Sequence, residues 1–140
     1  MNKTTLPFRS NEKGLILCIC LFFHLAAMAQ PVFQWDKTYG GDDYEQLHAI
    51  RPLKDGNIII GGNTQSRISG SVTHEMCGDT LIPNFDFWLL KTDIYGNKIW
   101  DQRYGGDGMD LMWTVLPMDD GGFLCGGFST SNASCDKAEG

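Results

Sequence analysis

Proline and histidine are scarce, at 5 and 3 of 140 residues. With so few prolines, turns fall to the 17 glycines, about 12% of the chain against a usual 7% or so. Glycine-made turns divide a chain into many short strands. No stretch carries the 3.6-residue apolar period of a long amphipathic helix, which excludes helical bundles and helical solenoids. Positive charge is short too. Eleven Lys and Arg face 17 Asp and Glu, a net −6, and that balance disfavours nucleic acid or anionic membrane surfaces as partners. Metal-ligand spacings of the C-x2-C or H-x3-H kind are missing, as are the G-x-S-x-G elbow and the phosphate-binding G-x-x-x-x-G-K-[ST] loop. With these go a zinc site, the common Ser-His-Asp framework and nucleotide hydrolysis. What is present, 42% hydrophobic and 11% aromatic residues, suffices for one globular domain and is too apolar for a disordered chain.

The segment from Met1 to Ala29 reads as a secretory signal peptide. Lys3, Arg9 and Lys13 form a basic start, Gly14 to Met28 an apolar run, and Ala27-Met28-Ala29 an A-x-A cleavage site before Gln30. The run is too short to span a bilayer, which takes about 20 residues, and His24 interrupts it. Cys18 follows Leu17 and Cys20 follows Ile19, with no small residue before either, so a lipid anchor is not expected. Cleavage leaves a more acidic chain, secreted or at the cell surface, with no membrane span and three cysteines. In an oxidising compartment Cys77 and Cys135, both in polar loop sequence, are the candidate disulfide, while Cys125 in Gly-Gly-Phe-Leu-Cys-Gly-Gly-Phe packs as a small hydrophobe.

An internal repeat organises residues 30–140. The stretch from Trp35 to Ser66 aligns without gaps on the stretch from Trp100 to Ser131, a period of 65, with twelve identities that include Trp35/Trp100, Asp36/Asp101, Tyr39/Tyr104, Gly40/Gly105, Gly41/Gly106, Asp42/Asp107 and Ser66/Ser131. Within one period, Gln46 to Leu53 and Asn57 to Gly61 read as strands about an Asp-Gly turn; Phe85 to Thr92 and Lys98 to Tyr104 read as strands about a turn with Gly96. The expected fold is all-β, in antiparallel four-stranded units like the blades of a β-propeller, with a β-sandwich as the lower-ranked alternative. A trailing strand at Val32 to Tyr39, one whole blade, and two strands within Leu111 to Phe128 make about one full blade plus parts of two others. A ring needs about four blades, and the second copy stops inside its polar loop. The arithmetic therefore predicts an N-terminal piece of a longer repeat protein; a complete chain would self-associate through its strand edges.

The strings WDKTYGG, KDGNIIIGG, DFWLLKTDIYGNKIWDQRYGG and DDGGFLCGGFS resemble the tandem repeats of secreted surface proteins of the Bacteroidota, many of which end in a type IX secretion sorting domain. The resemblance implies surface location and propeller-like repeats far more than any activity. TDIYGNKIW is also similar to the tryptophan-docking motif of quinoprotein propellers, which implies that Gly96 makes a turn and Trp100 wedges between blades.

Chemistry is weighed on the acidic residues after each Tyr-Gly-Gly. Asp42 and Asp107 are calcium candidates because a hard cation takes several oxygens, but the spacing is not that of a calcium loop, and a turn-capping aspartate explains the same repeat. Glycosidase chemistry wants two carboxylates placed across one bond, whereas these recur with the repeat. His48 falls mid-strand and His74 in the polar loop, with no serine elbow to serve. No catalytic residue, cofactor or metal is assigned beyond the calcium candidates; Trp35, Trp100, Gly40, Gly41, Gly105, Gly106 and Gly96 are structural. Aromatics such as Trp88, Trp113, Tyr44 and Tyr95 are read mainly as core. The loop from Asn63 to Asn84 is the better contact surface, and its Asp79-Thr80-Leu81 resembles a Bacteroidota O-glycosylation acceptor. The expected function is a non-enzymatic exported scaffold, or an adhesion and ligand-binding module for an extracellular protein or glycan. The alternative is the propeller portion of an extracellular carbohydrate-active enzyme.

Overall fold

Six strands follow the alternation of apolar runs and glycine turns: β1 (Glu45–Pro52), β2 (Ile58–Thr64), β3 (Asp86–Thr92), β4 (Lys98–Tyr104), β5 (Asp110–Pro117) and β6 (Phe123–Ser129). They come from a computed structural model that describes residues 34–78 and 84–139. The signal-peptide residues and Asp79-Thr80-Leu81 lie outside the described residues. The described chain is all-β, with no helix. β1 to β4 form one antiparallel sheet in sequential order and β5 and β6 a second. Neither sheet closes into a ring.

The repeat in sequence is a repeat in geometry. At the β1–β2 turn, Gly56 takes φ +82°, and Leu53 N–H donates to the Asn57 carbonyl at 2.8 Å. At the equivalent turn of the second copy, Gly121 takes φ +88° and Met118 N–H donates to the Gly122 carbonyl at 2.9 Å. A β-carbon is disfavoured at such angles, which is why the turn is written with glycine. Both hairpins also carry a bulge at matching places, between Leu47 and Ala49 and between Met112 and Thr114. Opposite each bulge sits a glycine, Gly62 or Gly127, where a β-carbon would collide with the carbonyl oxygen of Gln46 or Leu111.

Each face of the four-stranded sheet is covered differently. Ala49, Ile59 and Leu89, flanked by Phe87 and Trp100, pack against Met112 and Val115 of β5 and Phe123 and Cys125 of β6. Strand alternation sends the neighbouring residues Ile60, Trp88 and Leu90 to the other face, where Val72 from the long loop and Tyr39 cover them. Cys125 is half-buried beside the inter-sheet core, and burial raises its thiol pKa.

The strand expected over Val32 to Tyr39 is corrected by the structure: residues 34–39, its described part, form none. A strand needs a ladder partner, and this segment is held instead through side chains. Trp35 Nε1 donates to the Ile94 carbonyl at 2.8 Å, and the Tyr39 hydroxyl donates to the Gly96 carbonyl at 2.6 Å.

The second sheet comes close to the first at Gly61, where a β-carbon would stand 2.8 Å from Met112 Sδ and 3.1 Å from Val115 Cγ1. Its counterpart Gly126 has only Thr114 Cγ2 nearby, at 3.2 Å. Gly61→Val is therefore expected to lower unfolding free energy by about 1–3 kcal/mol, and Gly126→Val by less than about 1 kcal/mol. Urea midpoints of the two variants measure the contrast; equal losses would contradict the packing described.

Candidate functional site

Each Tyr-Gly-Gly corner leads the chain past a pair of serines and into the next strand through one polar hub. In the first copy, Ser66 Oγ accepts Asp43 N–H at 2.8 Å and donates to the Glu45 carboxylate. Ser69 Oγ accepts Asp42 N–H at 2.9 Å and donates to Asp42 Oδ1. In the second copy, Ser131 Oγ accepts Gly108 N–H at 2.9 Å and donates to Asp110 at 2.7 Å, and Ser134 Oγ accepts Asp107 N–H at 2.8 Å. Asp107 also accepts from the backbone and side-chain nitrogens of Asn132, which holds its pKa below the ordinary value. The calcium candidate Asp42 thus spends one carboxylate oxygen on Ser69, and Asp107 both of its own on Asn132, donors that come from the later loops. Among the described residues no group of three His, Cys, Asp or Glu is placed to hold a metal ion.

The hub explains the paired glycines. A β-carbon on Gly41 would collide with Ser66 and Ser69, and one on Gly106 with Ser131 and Ser134. Gly40 faces the Glu45 carboxylate and Gly105 the Asp86 carboxylate just as closely. Close approach, not a positive φ, requires glycine at these four places. Ser69 and Ser134 escape the sequence reading because the aligned window ends at Ser66; three more residues of alignment bring them in.

Gly96 does take a positive φ, +76°, and is buried. The tryptophan that meets it is Trp35, whose ring would lie 3.0 Å from a β-carbon there. Trp100 lies instead edge-on to Phe123, ring centroids 6.0 Å apart. Gly96 and Trp100 are therefore not each other's partners: Trp35 reaches the β3–β4 turn, and Trp100 reaches from β4 across to β6 of the second sheet.

Behind the hub lies a buried ionic layer that the sequence did not announce. Arg103 Nε donates to Asp86 Oδ2 at 2.6 Å, both side chains buried, and Nη1 donates to the Ser66 carbonyl at 2.6 Å. Burial raises the Asp86 pKa, and the Arg103 charge and hydrogen bond oppose it. Asp101, also buried, collects Trp88 Nε1 at 3.0 Å, Thr73 N–H at 3.0 Å and Lys98 Nζ at 2.6 Å. Burial alone would raise its pKa; donation from Lys98, Thr73 and Trp88 outweighs this and brings it from 3.8 to about 2. Asp101 so ties the long loop, through Thr73, to the buried indole of Trp88.

Cys77 and Cys135 form a disulfide with Cα atoms 6.4 Å apart, which joins the loops of the two copies. Cys135 takes φ +52° where the first copy has Gly70 at φ +54°.

Two clefts open between the copies. One, of about 460 Å3, lies between the β1–β2 and β5–β6 turns, with Leu53, Asp55 and Lys91 on one side and Met118, Asp119 and Phe123 on the other. Its charges pair with each other, Lys54 with Asp119 at 2.7 Å and Lys91 with Asp55 at 2.8 Å. A smaller one, of about 240 Å3, is lined by Phe87, Tyr104, Asp110, Ser129 and Lys137. His48 is exposed on β1 and His74 lies in the loop after β2. Comparison with family models, curated proteins and solved structures found no match to this chain.

Because Asp101 is more acidic folded than unfolded, its stabilisation is complete above about pH 4 and is lost as pH falls toward 2. Asp86, shifted the opposite way, weakens that slope without sharing the cause. Asp101→Asn is expected to remove about 2 kcal/mol of this acid-dependent stability, measured as the difference between urea midpoints at pH 6 and pH 2.5. An unchanged difference would deny Asp101 the role. The disulfide spans 58 residues of sequence; Cys135→Ser is expected to cost up to about 4 kcal/mol on the chain-entropy account, read from the same urea curves under non-reducing conditions.

Proposed function

We propose that this chain is an exported, non-enzymatic repeat protein whose units stack as propeller blades do, akin to the tandem-repeat surface proteins of Bacteroidota that its motifs resemble. It serves as a cell-surface scaffold or adhesion module for an extracellular protein or glycan. The observation that carries this reading is the recurrence of hub, turn and bulge at the interval that separates Trp35 from Trp100. A scaffold needs identical units that present variable loops; an enzyme needs at least one non-repeated constellation of reactive groups. The carboxylates of Asp42, Glu45, Asp107 and Asp110 accept from serines, Asn132 and a backbone N–H of the hub, which supports a structural role for them. The segment 65–78, which differs from its counterpart after Ser69 and is stapled by Cys77, is the surface on which a contact is best placed.

The test is made on the chain expressed in a Bacteroidota host. Expected results are recovery outside the cytoplasm with Gln30 as the new N-terminus, and no release of reducing sugar from a polysaccharide panel. Turnover abolished by a single change at Asp136, which also lines the smaller cleft, with the urea midpoint kept, would replace the scaffold with the carbohydrate-active alternative. Retention of the segment from Met1 to Ala29 would remove the export reading.

A further inference from the structure

The packing between the two sheets works by projections entering a gap. Met112 and Val115 of β5 project onto β2 where Gly61 has no side chain, with Ile59 and Ala49 forming the walls. Shifted by the repeat, Gly61 becomes Gly126 and Ile59 becomes Leu124, on the outer face of β5–β6. Among the described residues nothing fills that gap. Gly126 has no positive φ to account for it, its β-carbon position meets only Thr114 of its own hairpin, and beside it Leu116 and Leu124, paired across the strands, are 52% and 60% exposed.

The missing projections are also present in the molecule. Shifted back by the repeat, Met112 becomes Leu47 and Val115 becomes Ile50, on the outward side of β1, 42% and 62% exposed. One end of the molecule thus carries an unfilled gap and the other two unburied projections, related by the geometry that already joins its own two copies. We infer that the outer face of β5–β6 docks a second copy of this chain, whose Leu47 and Ile50 enter over Gly126 between Leu116 and Leu124. The contact is head-to-tail, so a docked pair still shows one gap and one pair of projections, and assembly continues unless a ring closes it. The exported chain from Gln30 holds 8 Lys and Arg against 16 Asp and Glu, net −8, so screening of like charge makes added salt strengthen the association. This deepens the repeat-array reading and rests on its face-to-face stacking, but not on what the array binds.

The experiment is sedimentation velocity on the exported chain from about 10 to 500 µM, the range in which weak interfaces register, with two variants that each disable one end. Wild type is expected to gain mass with concentration, and more so in salt. Ile50→Lys keeps its gap and loses a projection, whereas Leu124→Lys does the reverse; each alone is expected to stay monomeric, and an equimolar mixture to form a dimer and stop there. A monomeric wild type across the range overturns the inference. So does association that survives in both variants, which would move the contact to the free edge of β6, or a mixture that stays monomeric while both variants keep the wild-type urea midpoint. Should either midpoint shift, Leu47→Lys and Leu116→Lys repeat the cross. Failure here leaves the turnover and export results untouched, so the two readings fall separately.

Discussion

Everything in this molecule depends on how each repeat turns the Tyr-Gly-Gly corner. There the chain enters a strand beside buried backbone, and the N–H groups of two successive residues need acceptors that no sheet ladder supplies. Ser66 and Ser69, and later Ser131 and Ser134, supply them from the loop beyond the next hairpin. For a serine to come so near, the corner residue must lack a side chain, hence Gly41 and Gly106. The serine hydroxyl needs an acceptor in turn, and Glu45 or Asp110 at the head of the strand provides it. Corner, strand head and distant loop are thereby fixed as one unit, before any apolar contact is counted.

Fixing the corner sets the two faces of the sheet. With β1 entering at Glu45 and its bulge at Leu47, Ala49 points to the inter-sheet core and Ile50 away from it. A one-residue slip would exchange them. On the opposite face, burial of Asp86, Asp101 and Arg103 is tolerated because each has donors or acceptors close by. Buried ion pairs seldom add much stability over an apolar packing, yet removing one partner is costly. Their effect is one of alignment: Arg103 reaches the Ser66 carbonyl, so the ionic layer and the hub share a residue and hold one register.

Much of this was legible in the sequence. The turns at Gly56, Gly96 and Gly121 and the alternation of β-branched and aromatic residues give the hairpins, and the recurrence of Trp35 as Trp100 gives their equivalence. The segment at Trp35 misleads because its copy at Trp100 lies in a strand: sequence likeness carries over the side-chain roles, while strand formation depends on a neighbour that residues 34–39 do not have. The motif at Gly96 is completed by a residue distant in sequence: Trp35 lies on Gly96, while Trp100 packs on Phe123 of the second sheet. The ionic layer left no trace because Asp86 and Arg103, separated by 17 positions, look like any solvated charges until β3 and β4 pair. Burial of a charge is a property of the partner strand.

Where the two copies differ, the difference has a cause in three dimensions. Gly70 makes a left-handed bend with Ser71 N–H donating to the Gly40 carbonyl; at the same bend in the second copy stands Cys135, with Asp136 N–H donating to the Gly105 carbonyl. Cysteine is a poor choice for that backbone angle, so the bend itself does not explain it. The bond to Cys77 does: the one position where the second copy gives up glycine is the one from which a side chain reaches the first copy's loop. Val72, buried over Trp88, becomes Lys137, whose ammonium donates to the Ser131 carbonyl at 2.6 Å, the carbonyl equivalent to the one that Arg103 serves in the first copy. A basic side chain thus closes the hub in both copies although it arrives from a different element. Conservation of the interaction rather than of the residue is what a hub under physical constraint requires, and it explains why the corner survives where the loop sequence around it does not.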